Sequence, residues 1–135
     1  MVRSFSLAAL LAASVLAGCG GPLYAAHGRA PFIGVDVEID VKPQAGSRFV
    51  DIALTHLFAP SRVAPNLTQY VVWIAPVGGA PLRAATVVYN EGNQTGEAQA
   101  SFPDSKFTIL VTAETAQVPA TPSEHIIIEQ LVDLR

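Results

Sequence analysis

The sequence predicts an all-β domain, an antiparallel sandwich preceded by a short leader and a linker, and three observations predict it. Val35, Val37, Ile39 and Val41 alternate with Asp36, Glu38, Asp40 and Lys42, the period-2 pattern of a strand with one wet face. Six more segments of similar length follow at similar spacing, and none of them repeats apolar residues at helical period. Pro43, Pro60, Pro65, Pro76, Pro81, Pro103, Pro119 and Pro122 all fall between those segments, where a residue without an N–H leaves no gap in a hydrogen-bond ladder. Seven short strands over about 100 residues describe a seven-stranded sandwich of immunoglobulin-like or fibronectin-III-like type.

In chain order the strands are expected near residues 35–41, then Phe49 to Leu57, Gln69 to Ala75, Leu82 to Tyr89, Thr95 to Phe102, Lys106 to Glu114 and His125 to Val132. Their connections are too short for crossover helices, which makes the pairing antiparallel. Tyr70-Val71-Val72-Trp73-Ile74-Ala75 is apolar on both faces, as a central strand requires. Phe107, Ile109 and Val111 are expected to point inward, near Trp73. With Trp73 assigned to the core, Tyr70, Val72 and Ile74 are expected to face outward together with Leu110, joined by Ile126 and Ile128 in a matching register. Tyr70, Val72, Ile74 and Leu110 form the candidate binding face, since a contiguous apolar patch marks an interface.

The amino-terminal segment has a basic start at Arg3, an apolar run from Phe5 to Leu16 and then small residues, the pattern of an export signal. The run is shorter than the about 20 residues of a spanning helix. Leu16-Ala17-Gly18-Cys19 resembles the lipobox of bacterial lipoproteins at every position. The resemblance implies that diacylglycerol is attached to the Cys19 sulfur, that residues 1–18 are cleaved off, and that the new amino terminus is acylated as well. More than one acyl chain gives stable anchoring. Gly20 occupies the place of the aspartate that retains many lipoproteins at the inner membrane, so the outer membrane is the expected home in an organism that has one. Residues 19–33 are expected to form a flexible linker spanning about 20 Å on average and about 45 Å when extended. The sandwich is expected over 34–135.

Composition narrows the function classes. Charged residues make up 14% of the 135 and half the residues are apolar, which is the profile of a folded domain. Removal of Arg3 with the signal leaves seven Lys and Arg against eleven Asp and Glu, so the basic footprint of a nucleic-acid binder is missing. Cys19 is the single cysteine, which excludes an internal disulfide and a multi-cysteine metal site.

From Tyr70 to about Ser123 the chain resembles the extracytoplasmic β-sandwich of anti-sigma-K-type factors. The resemblance is carried by Tyr70-Val71-Val72-Trp73, Gly78-Gly79-Ala80-Pro81-Leu82, Phe107-Thr108-Ile109-Leu110-Val111-Thr112-Ala113-Glu114 and Pro119-Ala120-Thr121-Pro122-Ser123. It implies a sandwich fold outside the cytoplasm. Sigma binding is not implied, because a lipid anchor stands in place of that family's cytoplasmic region and membrane helix, and Thr115-Ala116-Gln117-Val118 replaces its glycine-rich stretch.

Catalytic motifs are sparse. His27, His56 and His125 are widely separated and are expected to be solvent-exposed rather than metal ligands. Asp36, Glu38 and Asp40 recur about 7 Å apart along one strand face and are expected to form a solvated face rather than a calcium site. No Gly-x-Ser-x-Gly elbow or glycine-rich phosphate loop occurs, and no cofactor is implied. Asn66-Leu67-Thr68 and Asn93-Gln94-Thr95 match the glycosylation triplet, which carries little weight beside a bacterial lipobox. The expected function is a non-catalytic binding or envelope-assembly module, held to the membrane by acyl chains on Cys19 and recognising an envelope protein or polymer. The alternative is a small envelope hydrolase or ligand carrier with a site formed only in three dimensions.

Overall fold

The computed structural model describes residues 23–134; the signal segment, Cys19 and the first residues of the expected linker lie outside them. Strands form over Leu23–His27 (β1), Asp36–Gln44 (β2), Ser47–Thr55 (β3), Gln69–Pro76 (β4), Leu82–Thr86 (β5), Val88–Asn90 (β6), Thr95–Phe102 (β7), Lys106–Glu114 (β8) and Ile126–Asp133 (β9). They make two antiparallel sheets, one of five strands in the order β1-β2-β3-β7-β6 and one of four in the order β5-β4-β8-β9.

Two expectations about strand count are corrected. The stretch expected to be linker carries β1, which pairs along its whole length with the edge of β2, from Leu23 opposite Asp40 to His27 opposite Asp36. Its five residues, two of them alanine, lie among glycines and prolines, so the pattern was too weak to read as a strand. The strand expected over Leu82 to Tyr89 is two strands in different sheets. Val87 lies between them, buried, with its N–H donated to the Tyr70 carbonyl at 2.9 Å, and there the chain crosses from one sheet to the other.

The core between the sheets follows from alternation. Val37, Ile39 and Val41 of β2 and Val50, Ile52 and Leu54 of β3 meet Phe107, Ile109 and Val111 of β8 and Ile128 and Val132 of β9. Tyr70, Val72 and Ile74 of β4 belong to this same core, which reverses the orientation expected for them. The reason is register: Val72 lies opposite Val111 and Ile74 opposite Ile109, and residues directly opposite in a ladder share a face. Trp73 therefore lies on the outer face with Val71 and Leu110, yet it is fully buried there.

Both open sides of the sandwich are tied. On one side the chain passes between sheets at Val87. On the other the Tyr24 hydroxyl of β1 donates to the Asp133 carbonyl of β9 at 3.1 Å and accepts the Asp133 N–H at 3.2 Å. Arg29 adds an N–H bond to the Ile127 carbonyl at 2.7 Å and an ion pair to Glu129 at 2.6 Å.

The β3–β4 connection, which includes a short 3-10 turn at Pro60–Arg62, is held by two tyrosines. Tyr70 donates its hydroxyl to the Phe58 carbonyl at 2.5 Å and Tyr89 donates to the Leu57 carbonyl at 2.8 Å, the two rings meeting edge to face. Burial, and secondarily the neighbouring Tyr89, push the Tyr70 phenol well above its ordinary range. Above about pH 10 the unfolded chain loses this proton while the folded chain keeps it, so stability is constant below that pH and falls as pH rises further. Tyr70→Phe is expected to reduce that alkaline loss, and to cost about 1–3 kcal/mol at neutral pH because the Phe58 carbonyl loses its donor. Urea unfolding of both proteins at about pH 8 and about pH 11 measures the two effects.

Candidate functional site

Two regions gather polar side chains. The first lies on the outer face of the four-stranded sheet, under the β8–β9 connection. Thr112 and Glu114 are two residues apart on β8 and so project from the same face, beside Trp73 on β4. The Trp73 Nε1–H donates to Thr112 Oγ1 at 2.8 Å, and that hydroxyl donates to Glu114 Oε2 at 2.8 Å. The Ser123 N–H donates to the same carboxyl oxygen at 3.0 Å, and the Ser123 hydroxyl donates to the Ala113 carbonyl at 2.7 Å. Gln69 donates to the carbonyls of Thr115 and Ala116, at 2.7 and 3.3 Å. Glu114 is 1% exposed, and Val118 and Ile126 pack against Trp73 and Leu110.

This network can hold a loop; it offers no open position to a substrate. Among the described residues every buried side-chain nitrogen or oxygen has a hydrogen-bond partner. Sequence reasoning did not find it, although a threonine and a glutamate on consecutive same-face positions of an otherwise apolar strand were the available signal. Thr112→Val keeps the shape and removes both bonds. It is expected to destabilise the domain by about 1–3 kcal/mol and to speed amide hydrogen exchange across 115–125, with Thr112→Ser restoring most of the protection.

The second region is the outer face of the five-stranded sheet. Asp36, Glu38 and Asp40 of β2 are joined there by Asp51 of β3 and Glu97 of β7. A shallow depression of about 300 Å³ is lined by Leu23, Glu38, Asp40, Asp51, Ala53, Glu97 and Gln99. His27 and His56 converge on Asp36, with Nδ1 to carboxylate distances of 2.8 and 3.3 Å, so two histidines far apart in sequence are neighbours in the fold, and both are exposed as expected. Among the described residues no group of three or more His, Cys, Asp or Glu is placed to hold a metal ion.

Asp40 and Asp51 are direct cross-strand partners, and among the described residues the ion pair that offsets them is Lys42 with Asp40, at 3.3 Å. Like charges directly opposite in a ladder are destabilising. Asp51→Asn is expected to stabilise the domain by about 0.2–1 kcal/mol, with the gain shrinking as salt is added, measured by denaturant unfolding at low and high ionic strength.

The candidate binding face read from sequence does not form. Tyr70, Val72 and Ile74 are buried between the sheets, and Leu110, which does point away from the inter-sheet core, is covered by the β8–β9 connection to 7% exposure. Cys19 lies outside the described residues. The four-stranded sheet also carries an open groove of about 420 Å³, lined by the end of β4 and the β4–β5 turn from Ala75 to Gly79 with Pro81, and by Lys106, Thr108, Leu110, Glu129 and Leu131. In comparisons with protein-family models, with curated proteins and with solved structures, nothing matches this chain.

Proposed function

We propose that this chain is a membrane-anchored lipoprotein of the cell envelope whose sandwich, immunoglobulin-like or fibronectin-III-like in type, serves as a non-catalytic module that binds or positions an envelope protein or polymer. The observation that carries the reading is the place of β1. Strand β1, an edge strand of the sandwich, starts at Leu23, four residues after the lipobox cysteine in the sequence, so an anchor at Cys19 would be joined to that edge by a short stretch of chain. The use of Trp73, Thr112, Glu114 and Ser123 to fix a loop supports a role resting on surface shape. The resemblance of the stretch from Tyr70 to Ser123 to an extracytoplasmic sandwich supports the same compartment. The outer membrane is the proposed location where the organism has two membranes.

The test is acylation of the intact chain in a bacterial host. Wild-type protein is expected to sediment with membranes, to incorporate labelled palmitate and to have the mass of an acylated chain starting at Cys19. Cys19→Ala is expected to lose the label and to remain uncut at this site. Processed, soluble wild-type protein without added acyl mass would refute the reading.

A further inference from the structure

Leu23 lies four residue steps from Cys19, and four steps of fully extended chain reach no more than about 15 Å. On the lipoprotein reading, on which this inference rests, the end of the sandwich that carries Leu23 is therefore held against the lipid. The ladders identify that end. Leu23, opposite Asp40 at the middle of β2, is the end of β1 nearer the β2–β3 turn, and at that end Arg48 pairs with Phe102 at the β7–β8 turn, Lys106 with Asp133 at the end of β9, and Ile74 with Leu82 at the β4–β5 turn. The opposite end carries the connections 28–35, 56–68, 91–94 and 115–125.

Among the described residues the exposed large apolar side chains at the anchor end are Leu23, Val77, Leu82 and Leu131, while Ile33 and Val88 lie toward the other end. Val77 is 69% exposed and Leu131 49%, and both line the open groove of the four-stranded sheet, whereas Leu82, on the edge strand β5, lies opposite Ile74 and so belongs to the sheet's other face. The other sheet presents Asp36, Glu38, Asp40, Asp51 and Glu97, which an anionic lipid surface repels. Such a patch is too small to bind a membrane from solution. A tether of about 15 Å changes this, because contact becomes intramolecular and the effective concentration of lipid at the patch is set by the tether.

We infer that the bilayer holding the acyl chains covers this patch: the β4–β5 turn with Val77, and Leu131, rest in the headgroup region. The acidic face of the five-stranded sheet is turned away, and the 28–35, 56–68 and 115–125 connections point into the aqueous space. The ligand is a lipid surface, and the domain has a fixed orientation on it.

The experiment uses the full chain, acylated in cells and reconstituted in phosphatidylethanolamine–phosphatidylglycerol vesicles. Because Cys19 is the only native cysteine and its sulfur is occupied by lipid, one introduced cysteine is the sole free thiol. Ala80→Cys in the β4–β5 turn and Ala116→Cys at the other end, both at exposed positions, are each labelled with a nitroxide. Collision rates are then measured with oxygen, which concentrates in lipid, and with a nickel chelate, which stays in water. The oxygen-to-nickel ratio is expected to be several-fold higher at position 80 than at 116. Adding Val77→Asp and Leu131→Asp to the Ala80→Cys chain should lower that ratio without changing the acyl mass. Equal ratios, or a higher one at 116, in protein whose mass carries the acyl groups would overturn the orientation while leaving the anchor standing. Protein without the acyl mass would overturn both.

Discussion

The central strand β4 is apolar on both faces, and the rest of the structure is arranged around that constraint. Tyr70, Val72 and Ile74 are covered by the five-stranded sheet, but Val71 and Trp73 face the other way and need a second cover. A fully buried tryptophan contributes about 3–5 kcal/mol by the usual cost of truncating it, too much to leave against water. The β8–β9 connection and the start of β9 supply the cover, with Val118 and Ile126 packed against the cluster of Val71, Trp73 and Leu110. A loop laid over a sheet brings backbone polar groups with it, and these must find partners. Glu114 and Ser123 supply them, so the buried carboxyl follows from the buried indole.

A similar dependence links the two sides of the sandwich. Edge strands expose unpaired backbone groups and invite unwanted pairing. Here β1 covers the edge of β2, and β1 is itself fastened across to β9 through Tyr24 and Arg29. At the far side the switch at Val87 makes one continuous segment serve as the edge of both sheets. A pull transmitted along the chain at Leu23 thus meets a five-residue ladder, the Tyr24 hydroxyl and the Arg29 contacts before it reaches the core.

Much of this was legible in the sequence where one face of a strand is wet. The alternation in β2 and most of the prolines placed most of the strands, because a half-exposed strand records its orientation residue by residue; Pro43 and Pro76, expected between strands, are instead the penultimate residue of β2 and the last of β4. Trp73 was read correctly as buried but on the wrong side. A strand apolar on both faces carries no such record, and only its register with Phe107, Ile109 and Val111 decides which residues point inward. The candidate binding face failed for that reason. β1 was missed because an edge strand of five residues leaves little pattern, and the convergence of His27 and His56 on Asp36 depends on pairing between three strands.

The charges not used in folding are distributed unevenly, and that asymmetry bears on function. A sequence selected for stability alone would place opposite charges across a ladder, and the pairing of Asp40 with Asp51 does the reverse. The local violation is tolerated because the core beneath, from Val37 and Ile39 to Ile52, is continuous and fully buried. Rules broken without local compensation tend to mark surfaces kept for another purpose. On the proposed anchoring at Cys19, the acidic sheet has one physical consequence whatever the partner: it disfavours lying flat on anionic lipid and biases the domain toward contact through its other sheet. The apolar groove beside Val77 and Leu131 lies on that other sheet, so charge and apolar surface select the same orientation.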